Sequence, residues 1–146
     1  MSAFAKSQTF NYRRIQMAAA SDYTENLALK WILTTDGPAA SARPTAWYLG
    51  LYTTDPTDAD TGTEVSGNGY TRESVAFTVT TDTAENSATV TFGPATASWG
   101  TVTHVGVFDA VTGGELLFHG ALTTSKAIAT DDSLQVTAGN LTITLA

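Results

Sequence analysis

The sequence predicts a mainly β fold, an antiparallel β-sandwich or barrel of about seven to eight short strands with an N-terminal arm and one short α-helix. Three observations lead to this prediction. Apolar and polar residues alternate in several short segments after residue 45. Turn sequences separate these segments, among them Asp82-Thr83-Ala84-Glu85-Asn86 and Ala138-Gly139-Asn140. Threonine, which is β-branched, fills many of the alternating positions. The 146 residues suffice for a domain with its own core.

The first 44 residues are predicted to form an arm and a short helix. The first 20 show no regular period, so we expect an arm that is ordered only where a neighbour holds it. A helix is expected over about residues 21–35, capped by Ser21 or Asp22 and ended by Asp36-Gly37-Pro38. Its apolar residues are predicted to share one face: Leu27, Ala28, Trp31 and Ile32.

The β domain is predicted to span residues 45–146, with a hairpin between residues 99 and 122 at its centre. Its first strand carries dense apolar side chains, which is typical of a strand buried on much of both faces: Val102, Val105, Val107 and Phe108. Gly113 and Gly114 supply the flexible turn. This hairpin organises the predicted sheets.

Three further segments complete the predicted domain. Residues 46–52 form an aromatic strand. Residues 75–80 are expected to pair with residues 88–92 as a second hairpin, and residues 133–136 with residues 141–145 as a third. Strand order stays open, because alternation assigns side chains to faces and does not identify neighbouring strands.

Charge is distributed unevenly along the chain. Residues 1–43 carry five basic and three acidic side chains, whereas the remainder carries two basic and eleven acidic ones, for a net charge of −7. An acidic body is repelled by nucleic acid and by anionic membranes, so we expect neither as a partner. The weakly basic N-terminal part suits an acidic protein neighbour. Without an apolar run of membrane-spanning length or a signal peptide, we expect a soluble protein made in the cytoplasm.

The histidines and carboxylates offer little for catalysis. If Phe108 pairs with Glu115, His104 and His119 lie opposite each other and could share a metal ion. The sequence assigns no third ligand to such a site. We therefore favour two half-buried histidines that are hydrogen-bonded to backbone groups or threonine hydroxyls. The acidic loop 55–64 lacks the EF-hand spacing and is predicted to be a solvated turn. With no cysteine and no nucleophile elbow, we expect no enzyme, no cofactor and no metal.

A glycine-rich segment follows the acidic loop, and its interpretation is structural. Gly67-Asn68-Gly69 precedes a strand, not a helix, so it does not form a phosphate cradle. We predict a tight loop in which Tyr70 and Arg72 anchor the acidic segment.

Several motifs in order resemble a family of small virion proteins of tailed bacteriophages over about residues 45–146. The motifs are Leu51 through Asp55-Pro56, Glu64-Val65-Ser66-Gly67-Asn68-Gly69-Tyr70-Thr71-Arg72, Phe92-Gly93-Pro94-Ala95, Trp99-Gly100, His104-Val105-Gly106-Val107-Phe108-Asp109, Gly113-Gly114 and Gly120-Ala121-Leu122. The sequence departs from the family pattern at Asp131-Asp132-Ser133, where we expect a glycine before the aspartate, and in its longer N-terminal part.

The resemblance implies a non-enzymatic structural module of the phage particle, made in the host cytoplasm. The leading expectation is a capsid decoration or cement protein that binds the major capsid protein and sister copies. The alternative is a tail-fibre or baseplate protein involved in host receptor binding. A homo-oligomer is expected, with a trimer favoured. The candidate interface residues are Phe4, Phe10, Tyr12, Arg13, Arg14, Trp31, Tyr52, Tyr70 and Arg72.

Overall fold

The computed structural model describes residues 7–12, 15–17, 19–34 and 43–145. These residues form one helix and twelve strands in three sheets, and no sheet closes into a barrel. The mainly β fold predicted from the sequence is confirmed and is compatible with a β-sandwich. The elements are β1 (Thr9–Tyr12), β2 (Ile15–Met17), β3 (Ala19–Ala20), α1 (Asp22–Leu33), β4 (Trp47–Tyr52), β5 (Glu73–Val75), β6 (Phe77–Thr80), β7 (Thr83–Asn86), β8 (Val90–Phe92), β9 (Gly100–Phe108), β10 (Leu116–Ile128), β11 (Ser133–Val136) and β12 (Leu141–Thr144).

The predicted central hairpin is confirmed as β9 and β10, in the middle of a five-stranded sheet of order β3-β10-β9-β4-β5. Its register differs from the pairing considered above, because Phe108 lies opposite Leu116 and the ladder shifts before Phe118. His119 therefore lies opposite Gly106, and His104 lies opposite Ala121. The two histidines are offset along the hairpin and do not form a directly opposed pair.

The other two predicted hairpins are wrong in their pairing. β6 pairs with β7, whereas β8 pairs with β11 in a three-stranded sheet of order β1-β11-β8. β12 pairs with β7 in a four-stranded sheet of order β2-β12-β7-β6. β7 and β8 thus follow each other in sequence but lie in different sheets, and so do β11 and β12. Their alternating apolar residues still reach one common core, which is why the sequence pattern could not reveal the switch.

The N-terminal segment contributes strands that the sequence did not predict. β1 runs parallel to β11, β2 runs parallel to β12, and β3 pairs antiparallel with β10. Ile15 on β2 is fully buried in the main core. We expected an arm ordered only where a neighbour holds it, and for these residues the chain's own strands supply that support.

The central sheet is covered on both faces. One face joins the main core through Leu49, Leu51 and Val105, each 0% exposed. A second cluster consists of Tyr52, Phe108 and Leu116. The expectation that the first strand of the hairpin is buried on much of both faces is confirmed, and the second cluster positions the polar groups described below.

The helix is confirmed as α1, and Ser21 is its N-cap. The Ser21 hydroxyl accepts a hydrogen bond from the Thr24 backbone N–H at 3.3 Å, which satisfies one of the free donors of the first turn. The helix ends at Leu33, and Thr34 is its C-cap in an extended conformation. The predicted stop at residues 36–38 lies outside the described residues. No helix in the described ranges is long and apolar enough to cross a membrane.

Candidate assembly interface

Exposed large apolar side chains concentrate at the end of α1. Leu29, Trp31, Ile32 and Leu33 are 59%, 71%, 68% and 72% exposed, and we call these four residues the α1 patch. No residue of α1 is buried. On the apolar face predicted for the helix, Leu27 is half-buried, and Ala28, Trp31 and Ile32 are exposed. Clustered exposure of this kind marks interaction surfaces in folded proteins.

The helix is anchored by its first turn. The Ser21 hydroxyl donates to the carbonyl of Leu116, and its backbone N–H donates to the carbonyl of Leu117 at 3.0 Å. The Thr24 hydroxyl donates to the same Leu117 carbonyl at 2.8 Å. These bonds tie the start of α1 to β10 while residues 28–34 are exposed. The first turn of the helix is therefore fixed to β10, and its apolar C-terminal end is exposed to solvent.

The α1 patch is almost free of charge. Lys30 is the charged residue of the last turn, and the acidic residues Asp22 and Glu25 lie in the first turn. This order complements the helix dipole, which favours anions at the N-terminus and cations at the C-terminus. The apolar surface thus carries no carboxylate, although the chain as a whole has a net charge of −7.

A partly buried ion pair holds the loop that covers the second cluster. The Arg72 guanidinium binds both oxygens of Glu64, with Nε–Oε1 and Nη2–Oε2 each 2.8 Å, and lies 3.3 Å from the centroid of the Phe108 ring. Its Nη1 donates to the carbonyls of Ala110 and Gly113 at 3.0 and 2.6 Å. Arg72 therefore joins the acidic loop to the turn of the central hairpin.

Tyr70 completes this network. Its hydroxyl donates to Glu64 Oε1 at 2.8 Å and accepts from the Leu51 backbone N–H at 2.9 Å. The predicted anchoring of the acidic segment by Tyr70 and Arg72 is confirmed. Gly50 makes room for the network, because a Cβ atom there would lie 2.9 Å from Glu64 Oε1 and 3.0 Å from Phe108 Cε2.

Burial and charge change the pKa values of this cluster. Burial, followed by the Asp60 carboxylate that accepts from its hydroxyl, raises the pKa of Tyr52 well above its usual range. Burial and the charge of Glu64 likewise raise the pKa of Tyr70. For Arg72, burial alone would lower the pKa, but the hydrogen bonds and charge of Glu64 outweigh it and raise the pKa. Both tyrosines are neutral donors, and Arg72 is a permanent cation.

The two histidines meet the acidic loop. His119, 8% exposed, has its Nε2 atom 2.9 Å from Asp58 Oδ1. Asp55 lies between the rings, with one oxygen 3.9 Å from His119 Nδ1 and the other 3.9 Å from His104 Nε2. The His104 Nδ1 atom lies 2.9 Å from the Thr103 hydroxyl. The partners of His119 are carboxylates and not the backbone or threonine groups expected, whereas His104 has the expected threonine.

The described residues show no group of three or more histidine, cysteine, aspartate or glutamate side chains that could hold a metal ion. In the same ranges, every buried side-chain nitrogen or oxygen has a hydrogen-bond partner. The polar groups around the second cluster are therefore matched to one another and hold the loop on the sheet.

The structure divides the predicted interface residues into three groups. Trp31 belongs to the exposed α1 patch, and Phe10 is half-buried on β1 with Lys126 Nζ 5.0 Å from its ring centroid. Tyr52, Tyr70 and Arg72 act inside the chain, in the network described above. Tyr12 lies on β1, and Phe4, Arg13 and Arg14 fall outside the described residues. A contact between any of these residues and a partner stays a prediction.

Sequence reasoning did not identify three members of the α1 patch as interface candidates: Leu29, Ile32 and Leu33. Ile32 was predicted to lie on the apolar face of the helix, but its exposure was not predicted. A signal was present, because Lys30 is the only polar residue between positions 27 and 33. A helix segment that is apolar on nearly all sides requires cover from more than one direction.

Comparison with known proteins gives one family. A family model described as "Podophage GP4 fiber I protein gp80" matches residues 19–144, which include α1 and every strand from β3 to β12. The curated proteins give no match. The matched range contains the α1 patch and the whole Arg72 network, whereas β1 and β2 lie before it.

Proposed function

We propose, since the chain belongs to the podophage GP4 fiber I protein gp80 family, that this phage virion structural protein acts in the tail-fibre apparatus and not as a capsid decoration protein. The match over residues 19–144 is the observation that carries the proposal, because the family's description names a fibre protein. It favours the tail-fibre reading over the cement protein that was the leading expectation from the sequence.

The structure supports a scaffolding role within that apparatus. The polar groups of the second cluster satisfy one another, and the α1 patch offers an apolar surface of the kind that binds protein. The proposed partners are other virion proteins and sister copies of this chain, in a homo-oligomer for which a trimer is favoured. Catalysis and a bound cofactor form no part of this proposal. Host receptor binding stays a prediction.

The position of the chain on purified particles tests the proposal. A label at the C-terminus suits this purpose, because Leu145 is 63% exposed. Heads and tails are separated and imaged, and the copies of label on each are counted. We expect label on the tail at a few copies. Label spread over the head at many copies would overturn the fibre assignment and restore capsid decoration.

A further inference from the structure

We infer that copies of this chain associate by packing their α1 patches against one another. The partner of the α1 patch is thus a second copy of the same chain. This inference deepens the proposed structural role, but its test is made in solution and does not depend on where the protein sits on the particle.

The side chains of the α1 patch have the spacing of a helix-packing surface. Leu29, Ile32 and Leu33 stand at positions i, i+3 and i+4, which places them together on one side of a helix with 3.6 residues per turn. Thr24, which bonds to β10, marks a different side of the helix as the one facing the body. The apolar stripe therefore points away from the body, where another helix can reach it.

The exposed area fits a contact between copies. A large side chain exposes on the order of 200 Å² in full, so Leu29, Ile32 and Leu33 leave roughly 400 Å² of apolar surface on their side of each helix. Two such surfaces together reach about 800 Å², the size of a weak interface. Trp31 lies on another side of the helix, so this area does not include it.

The absence of carboxylates also makes the α1 patch a favourable surface for self-association. Two copies with a net charge of −7 each repel one another, and a contact is opposed least where carboxylates are absent. The α1 patch meets this condition, since the nearest charged residue along the helix is Lys30. A patch without charge offers nothing specific to a charged partner, whereas it matches its own copy in polarity.

Helix stability gives an independent reason for cover. An isolated helix of about 12–15 residues is marginal in water, and α1 has 12 residues of which none is buried. Contacts at the first turn support only its beginning. Packing against another copy covers the last turns, which the described part of the chain leaves exposed.

The test compares the mass of the full chain in solution, by sedimentation, with that of single variants. We expect an oligomer for the unchanged chain and at least a tenfold weaker association for Leu33→Lys. Leu145→Lys is the matched control, because Leu145 is also a leucine, 63% exposed, and lies outside α1. An unchanged chain that is monomeric, or a Leu33→Lys variant that stays fully associated, would overturn the inference.

A mixture of charge variants shows whether the patches touch each other. Leu33→Lys and Leu33→Glu are each expected to be monomeric, and mixing them should restore association if patch meets patch. Circular dichroism confirms that both variants keep the β fold. If both variants are folded but their mixture stays monomeric, the patch contacts something other than its own copy and the inference fails. Label on the tail together with a monomeric chain would leave the tail-fibre assignment standing and overturn this inference.

Discussion

Replacing Arg72 with methionine should destabilise the fold strongly, because it removes the positive charge that is paired with the Glu64 carboxylate. The Arg72 and Glu64 side chains are 9% and 25% exposed. Methionine keeps much of the volume but leaves a largely buried carboxylate unpaired, which typically costs about 3–5 kcal/mol. The carbonyls of Ala110 and Gly113 also lose their donor, and Phe108 loses its cation contact. Since such terms overlap, we expect a total loss of about 4 kcal/mol.

A double-mutant cycle isolates the ion pair. Glu64→Gln keeps an oxygen for the Tyr70 hydroxyl and should cost less than Arg72→Met. The double variant should be less destabilised than the sum of the two single variants, with a coupling energy of about 2 kcal/mol. Because stability totals about 5–15 kcal/mol for a domain, these losses are measurable fractions of it.

Urea unfolding followed by tryptophan fluorescence measures these energies. Trp99 is a suitable probe, since it is 6% exposed and packs edge-on against Tyr70 with ring centroids 5.6 Å apart. Arg43→Met is the matched control at an exposed arginine and should change stability by less than about 0.5 kcal/mol. A loss below about 1 kcal/mol for Arg72→Met, or a coupling energy near zero, would refute the assigned role of the pair.

Three further predictions concern the core and the pH dependence. Gly106→Ala should cost about 1–3 kcal/mol, because its Cβ would lie 2.6 Å from Leu116 Cδ1; an unchanged melting temperature would contradict the packing of the second cluster. Ile15→Ala should cost about 2–5 kcal/mol, since Ile15 is fully buried; a negligible loss in urea unfolding would show that β2 is not part of the core. Tyr52 and Tyr70 have raised pKa values when folded, so their contribution to stability is complete below about pH 10, where unfolded tyrosine begins to ionise, and falls as the pH rises further. Urea unfolding at increasing pH should show this fall, and Tyr52→Phe should make it shallower; an equal slope in that variant would contradict the assignment.

The sequence predicted those features that depend on local patterns. The hairpin of β9 and β10 was visible because its apolar density is unusual and its turn holds two glycines. The start of α1 was visible because Ser21 is a favourable N-cap. The anchoring of the acidic loop by Arg72 was also anticipated. Each of these features can be predicted from residues that are close in sequence, or from a single pair of opposite charges.

Features that depend on distant partners were missed. β1 and β2 are four and three residues long, too short to show a period, and they pair with strands more than 120 residues away in sequence. β8 and β12 pair with strands other than those predicted, but this does not change the alternation of apolar and polar residues along them. The exposure of Leu29, Ile32 and Leu33 was missed because the pattern shows which side chains are apolar, whereas the fold decides whether the described chain covers them.

The parallel pairing of β2 with β12 has a mechanical consequence. Leu141 lies opposite Ile15 and Ile143 lies opposite Met17, so β2 and the last strand of the fold, β12, run in the same direction. The incoming end of one strand and the outgoing end of the other then lie at opposite ends of the ladder. Tension applied between Ile15 and Ile143 would slide these two strands past each other and load all the hydrogen bonds between them at once, instead of opening them one by one. Pulled along this axis, the protein would resist rupture with the whole β2–β12 ladder.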